Sequence, residues 1–189
     1  GVDSAHLVGL SFGGQHALHI AVGHPDRVRS LVLADTSPAF GINGMTREEW
    51  IDQRLEPLRA GLTPADIAES VMAGISGPDF SGPDFDLAVA AMGRLTPRAY
   101  EDAVRCLPDH DLRDALATID VPTLVIVGEL DPATPPSTAR LLADGIPDAR
   151  LVELPGIGHL TPNEAPREFN RLVREFLDAQ DLTTGGASA

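Results

Sequence analysis

The stretch His6-Leu7-Val8-Gly9-Leu10-Ser11-Phe12-Gly13-Gly14 decides the fold. Residues 5–9 are a short apolar run that ends at glycine, which predicts a buried strand. After Ser11 the period changes: Phe12, His16, Ala17, Ile20 and Ala21 recur at helical spacing as far as Gly23. The junction itself reads G-x-S-x-G. A serine on so tight a strand-to-helix turn takes a strained backbone, and side chains two residues to either side, at Gly9 and Gly13, are expected to collide. Such a turn lifts the Ser11 hydroxyl into open space and leaves the Phe12 amide at a helix N-terminus, poised to stabilise an oxyanion.

Moving outward, His24-Pro25-Asp26-Arg27 predicts a turn and residues 28–34 (VRSLVLA) a second strand. Strand, helix, strand within about thirty residues describes a βαβ unit and hence a parallel sheet. The rhythm returns far down the chain. Thr123-Leu124-Val125-Ile126-Val127 is a continuous apolar run suited to burial on both faces. It is followed by a helix over 136–144, a strand over 150–154 and an amphipathic helix over 166–179, with Phe169, Leu172, Val173 and Phe176 on its inner face.

Residues 41–107 differ: they predict four helices and no strand. Thr46-Arg47-Glu48-Glu49 has capping-box spacing. Thr63-Pro64 and Thr96-Pro97 each set a capping hydroxyl before a proline at the first helical position. GPDF occurs twice, from Gly77 and from Gly82, and reads as a polar loop. The organisation expected is therefore α/β: core at 1–40 and 108–180, a helical cap at 41–107, and a disordered tail at 181–189, where TTGGASA has nothing to pack.

With 189 residues the chain can bury a single core. Its net charge is −14, and all fourteen basic residues are arginine. So acidic a surface repels phosphate backbones and anionic membranes, which argues against nucleic-acid and membrane partners. Cys106 stands alone, which suits a reducing compartment. No signal-like N-terminus or long apolar run appears, so a cytoplasmic protein is expected. Gly1 is not an initiator methionine and lies close to the first strand, the pattern of a fragment.

A hydroxyl needs a base to take its proton. Of the six histidines, His16 and His19 lie on the helix after the turn and face away from it. His6 sits within a strand, His24 in a turn, and His110 in a polar Asp-His-Asp stretch expected to be solvated. His159 follows a strand in the loop Pro155-Gly156-Ile157-Gly158-His159, whose glycines let it reach inward, and it is the expected base. A carboxylate must fix its tautomer. Asp131 follows the 124–127 strand in Gly128-Glu129-Leu130-Asp131-Pro132 and is preferred. Asp35 competes, ending the strand over 30–34, but capping the turn at Thr36-Ser37-Pro38 accounts for it. The order Ser, Asp, His, each on a loop leaving a strand's C-terminal end, places all three where open α/β sheets bind ligands.

HLVGLSFGG (6–14), HPDRVRSLVLADTSP (24–38), IDVPTLVIVGELDPATPP (119–136) and LPGIGHLTPNEAPREFNRLVREFL (154–177) resemble the α/β-hydrolase superfamily. The nearest branch holds 3-oxoadipate enol-lactonases, small carboxylesterases and cofactor-free haloperoxidases. The resemblance implies a partial α/β-hydrolase fold, with Ser11 as nucleophile, His159 as base, Asp131 as its partner and the Phe12 amide as one oxyanion donor. Members of that superfamily also carry early strands and a His-Gly loop supplying a second oxyanion donor, and neither is in this sequence. Loss of such a donor costs on the order of a hundredfold or more in turnover, so the fragment is expected to be less active than a version with that segment restored.

The function expected is hydrolysis of a small ester or lactone through an acyl-enzyme, with 3-oxoadipate enol-lactone the preferred substrate. The cap arginines Arg47, Arg54, Arg59, Arg94 and Arg98 could pair a dicarboxylate, although solvation is the more usual role for each. Trp50, Met72, Phe80, Phe85 and Met92 are candidates for the pocket wall or for the core of the cap. Two alternatives stand: a perhydrolase or haloperoxidase using the same triad, and a non-catalytic or poorly active protein that kept the fold. No cofactor or metal is expected, since no H-E-x-x-H occurs and the histidines lack ligand spacing.

Overall fold

The computed structural model describes residues 1–185, with side chains described as far as residue 180. Four strands, β1 (Ala5–Leu10), β2 (Val28–Ala34), β3 (Thr123–Gly128) and β4 (Ala149–Leu154), form one sheet in the order β1-β2-β3-β4. Every pair is parallel. A parallel pair requires a crossover, and the helices that supply it cover both faces of the sheet.

The alternation of side chains along β2 and β3 divides the core. Leu31, Leu33, Val125 and Val127 face one side and pack with Leu18 of α1 (Phe12–Gly23) and Leu142 of α6 (Pro136–Gly145). Val32, Ala34, Leu124 and Ile126 face the other and pack with Phe169 and Leu172 of α8 (Pro166–Gly185). Residues 31–34 of β2 and 124–127 of β3 therefore read as unbroken apolar runs, because neither face meets water there. β1 and β4 are the outer strands of the sheet described, and Val8 of β1 is 51% exposed. Helix α8 continues to Gly185, past the start expected for the tail, and residues 186–189 lie outside the described residues.

Between β2 and β3 the chain forms α2 (Arg47–Arg59), α3 (Pro64–Ile75), α4 (Pro83–Gly93) and α5 (Pro97–Cys106). Their apolar faces build a separate cluster around Leu55, Ile67, Met92, Tyr100 and Val104. The helix starts follow local chemistry. Thr46 accepts from the Glu49 amide while Glu49 accepts from the Thr46 amide, a reciprocal cap. Thr96 accepts from the Ala99 amide, whereas the Thr63 hydroxyl donates to Asp66 instead. The two GPDF copies differ: the first is a loop, but the second opens α4, with Gly82 at the N-cap and Pro83 at the first turn. Proline suits that turn because its missing N–H has no intrahelical acceptor there.

The insertion is tied to the sheet at two places. Its two linkers pair with each other, the Phe40 amide donating to His110 O and the Leu112 amide to Pro38 O, each at 2.9 Å. Further along, Ile75 O accepts from the His159 amide at 2.9 Å, and the Gly77 amide donates to Glu164 at 2.8 Å. Short helix α7 (Thr161–Glu164) presents that carboxylate, which also takes the Gly158 and Leu160 amides.

Candidate active site

Ser11 sits between β1 and α1 with φ 52° and ψ −119°, a conformation costly for a residue with a Cβ and held by its surroundings. Its amide donates to Ala34 O and its carbonyl accepts from the Thr36 hydroxyl, both at 2.8 Å. The crowding falls partly where expected. A Cβ at Gly9 would meet Gly13 O at 2.5 Å, but one at Gly13 would stand in open space. The second constrained position is Gly14, where a Cβ would lie 2.7 Å from Thr36 Cβ. The first turn of the helix, together with Ser11 itself, approaches the chain at the end of β2.

Ser11 Oγ lies 2.8 Å from His159 Nε2, and His159 Nδ1 lies 2.8 Å from Asp131 Oδ2. His159 and Asp131 are buried, at 5% and 3% exposure, so this chain of contacts is shielded from competing water. Asp131 Oδ1 accepts from the Ala133 and Thr134 amides and Oδ2 from the Thr134 hydroxyl. A carboxylate so ringed by donors cannot turn, and it draws the imidazole proton to Nδ1, leaving the Nε2 lone pair facing the Ser11 hydroxyl. Phe12 begins α1, where an amide has no intrahelical acceptor.

The other titratable residues depart from the sequence reading. Asp35 does not cap the turn at Thr36-Ser37-Pro38. It is fully buried with φ 45°, and it joins the end of β2 to the end of β3 and to the residue after Leu160: Oδ1 accepts from the Gly128 amide at 3.1 Å, Oδ2 from the Thr161 amide and hydroxyl at 3.0 and 2.7 Å. It thus underpins the loops that carry Asp131 and His159. His110 is not solvated either. It is 5% exposed, with Nε2 2.9 Å from Ser37 O and Nδ1 3.0 Å from His19 Nε2. A carbonyl only accepts, so Nε2 carries the proton, Nδ1 accepts from His19, and burial holds the His110 pKa below the ordinary imidazole value. His16, exposed, contacts Phe12 O, and His6 meets the Ser30 hydroxyl.

Burial pushes the Asp35 carboxyl from its ordinary 3.8 up to about 7, against the opposing pull of the Thr161 hydroxyl. A raised carboxyl pKa means the folded state holds the proton more tightly than the unfolded chain. The associated stability is complete below pH 3.8 and lost as pH rises to about 7. Asp35→Asn, which cannot ionise, will therefore gain stability relative to the parent between pH 4 and pH 7. Urea unfolding of both proteins across that interval reads it, and a constant difference refutes it.

A cavity of about 490 Å³ opens above Ser11 and His159, walled by the insertion helices and by the loop after β3. Trp50, Met72 and Met92 line it, while Phe80 and Phe85 lie outside its wall and pack edge to face at 5.7 Å. Gln15, 6% exposed, also lines it and leaves Oε1 without a partner among the described residues. Sequence reasoning missed Gln15, Thr134 and Glu164. Only Thr134 had a signal, its place three residues after Asp131 in an Asx-type turn. No helix of the described residues is long and apolar enough to cross a membrane.

A four-stranded parallel sheet with a strained serine at the first strand-to-helix turn has its match: a profile of the alpha/beta hydrolase family covers residues 1–172. The chain belongs to that family. Among individual proteins it is similar to a pimeloyl-acyl-carrier-protein methyl ester esterase of Aeromonas hydrophila, 29% identical over 93% of this chain and 71% of that one. It is also similar to 3-oxoadipate enol-lactonase 1 of Acinetobacter baylyi, at 29% identity over 93% of this chain and 65% of the other. Of solved structures, a hydrolase from Pseudomonas aeruginosa PA01 superposes with a TM-score of 0.83 at 32% identity, over 93% of this chain and 65% of that chain. The chain thus spans about two thirds of the length of the relatives it matches.

Proposed function

We propose that this chain carries the nucleophile, base and acid of a serine hydrolase that cleaves a small ester or lactone, with 3-oxoadipate enol-lactone the preferred specific substrate. The observation that supports it best is the continuous contact Ser11–His159–Asp131 at the floor of a largely apolar cavity. In this reading Ser11 Oγ attacks the acyl carbon while His159 Nε2 takes the hydroxyl proton. The carbonyl oxygen gains negative charge beside the Phe12 amide. Collapse of the tetrahedral intermediate breaks the ester C–O bond, and His159 returns the proton to the departing alkoxide. Water, deprotonated by the same nitrogen, then releases the acid and restores Ser11. With a lactone the departing alkoxide stays tethered to the acyl group.

The insertion α2–α5 acts as a cap that shapes the acyl site, and the likeness to an esterase and an enol-lactonase supports the ester and lactone chemistry. Incubation with p-nitrophenyl acetate, quenched in acid, should leave an acetyl group on the peptide that contains Ser11, and incubation with simple lactones the corresponding hydroxyacyl group. Turnover without that adduct, or an adduct elsewhere, would overturn the reading.

A further inference from the structure

The five arginines of the insertion do not share one environment. Arg47, Arg59 and Arg98 each pair with a carboxylate, of Asp109, Asp52 and Asp102 respectively. Arg94 is exposed and lies outside the cavity wall. Arg54 alone of the five lines the cavity, and its guanidinium lies 4.6 Å from the centre of the Trp50 ring. It has no hydrogen-bond acceptor or carboxylate partner among the described residues. Among the described residues no aspartate or glutamate lines the cavity, and most of the wall is apolar, from residues such as Val71, Met72, Ile75 and Leu95.

An unneutralised cation in such a wall is not what a neutral acyl chain requires. Dehydrating a guanidinium costs free energy unless its N–H groups find acceptors. Stacking on the indole satisfies one face of the ion but offers its N–H edges nothing. The platform beneath is fixed: Trp50 Nε1 donates to Val104 O at 3.0 Å, and the ring meets Phe40 edge on at 5.8 Å. Arg54 is therefore held over the ring with its fork of donors unfilled, the donor set that accepts a carboxylate through two parallel bonds.

We infer that Arg54, mounted on Trp50, is a carboxylate subsite, and that the cavity selects esters or lactones whose acyl chain ends in a free acid. The inference rests on the serine-hydrolase reading for its reactive end and deepens it at the other. Of the five candidate arginines it assigns the role to one. It also explains how a chain of net charge −14 can receive an anion. Overall repulsion is screened within about 8 Å at physiological ionic strength, and among the described residues Arg54 is the one arginine, with no carboxylate beside it, in the cavity wall.

Trp50 is the only tryptophan, so its emission reports the subsite without turnover. In the Ser11→Ala protein, which cannot cleave the probe, monomethyl adipate should change that emission and bind at least about tenfold more tightly than methyl hexanoate, the increment of one charge-assisted pair. Arg54→Gln should erase the preference, and Arg54→Lys should retain part of it, since an ammonium keeps the charge but not the fork. Equal affinity for the two probes in the Arg54 protein would overturn the inference, as would a preference that survives Arg54→Gln. Fluorophosphonate labelling of the parent at Ser11 separates the two ideas. Labelling without acid preference defeats only the subsite, whereas acid preference without labelling leaves the subsite standing and defeats the hydrolase reading.

Discussion

Asp131→Asn will cut ester turnover by about 10⁴-fold while leaving the fold intact, and Ser11→Ala will cut it at least as far. The asparagine can still accept from the Ala133 and Thr134 amides that hold Asp131. What changes is the partner of His159: an amide N–H2 in place of Oδ2 repels an Nδ1 proton, so the imidazole takes the other tautomer and points N–H at Ser11. The hydroxyl then has no acceptor for its proton. Phosphonylation of Ser11 should slow in parallel, because it needs the same proton transfer. A variant that labels as fast as the parent would show that His159 is not held by Asp131 in the working enzyme.

Gly128→Ala will be the most damaging conservative change in the sheet. A Cβ there would clash with Gly158 O and with Ile157 O, both backbone atoms of the loop leading to His159. Backbone cannot yield as a side-chain tip can, so either β3 or that loop must move. Gly128 also donates to Asp35, and displacement would strand that buried carboxyl. A loss of about 3 kcal/mol is expected, lowering Tm by roughly 6–12 °C in a chain of this size. Loss of Ser11 labelling should accompany it, since Gly128 begins the loop that ends at Asp131. Calorimetry and labelling on the same sample check both, and an unchanged Tm would refute the clash.

The sheet was legible because burial on two faces leaves a plain trace: in runs such as 30–34 and 123–127 every residue is buried. The positions of Ser11, Asp131 and His159 were legible for a different reason, since each follows the C-terminal end of a strand and short-range pattern suffices to place it. Asp35 and His110 were misread because their partners are remote. Thr161 lies 126 residues from Asp35 and His19 lies 91 from His110, and no local spacing announces a contact made by the closing of the fold. A polar tripeptide such as Asp109-His110-Asp111 reads as surface, yet the linker pairing turns its middle ring inward. Glu164 escaped notice similarly, because what it gathers are amides, which every residue has.

The tether between Ile75 and the His159 amide has one more consequence. A lid hinged only at its linkers could swing clear and leave the chemistry beneath it intact. Here any outward swing of the third helix pulls on the very loop that aims the imidazole. With His159 in the proposed role of base, admission of a ligand by that route and disarming of the base become a single event, and a molecule too bulky to let the lid settle would find the serine without its proton acceptor.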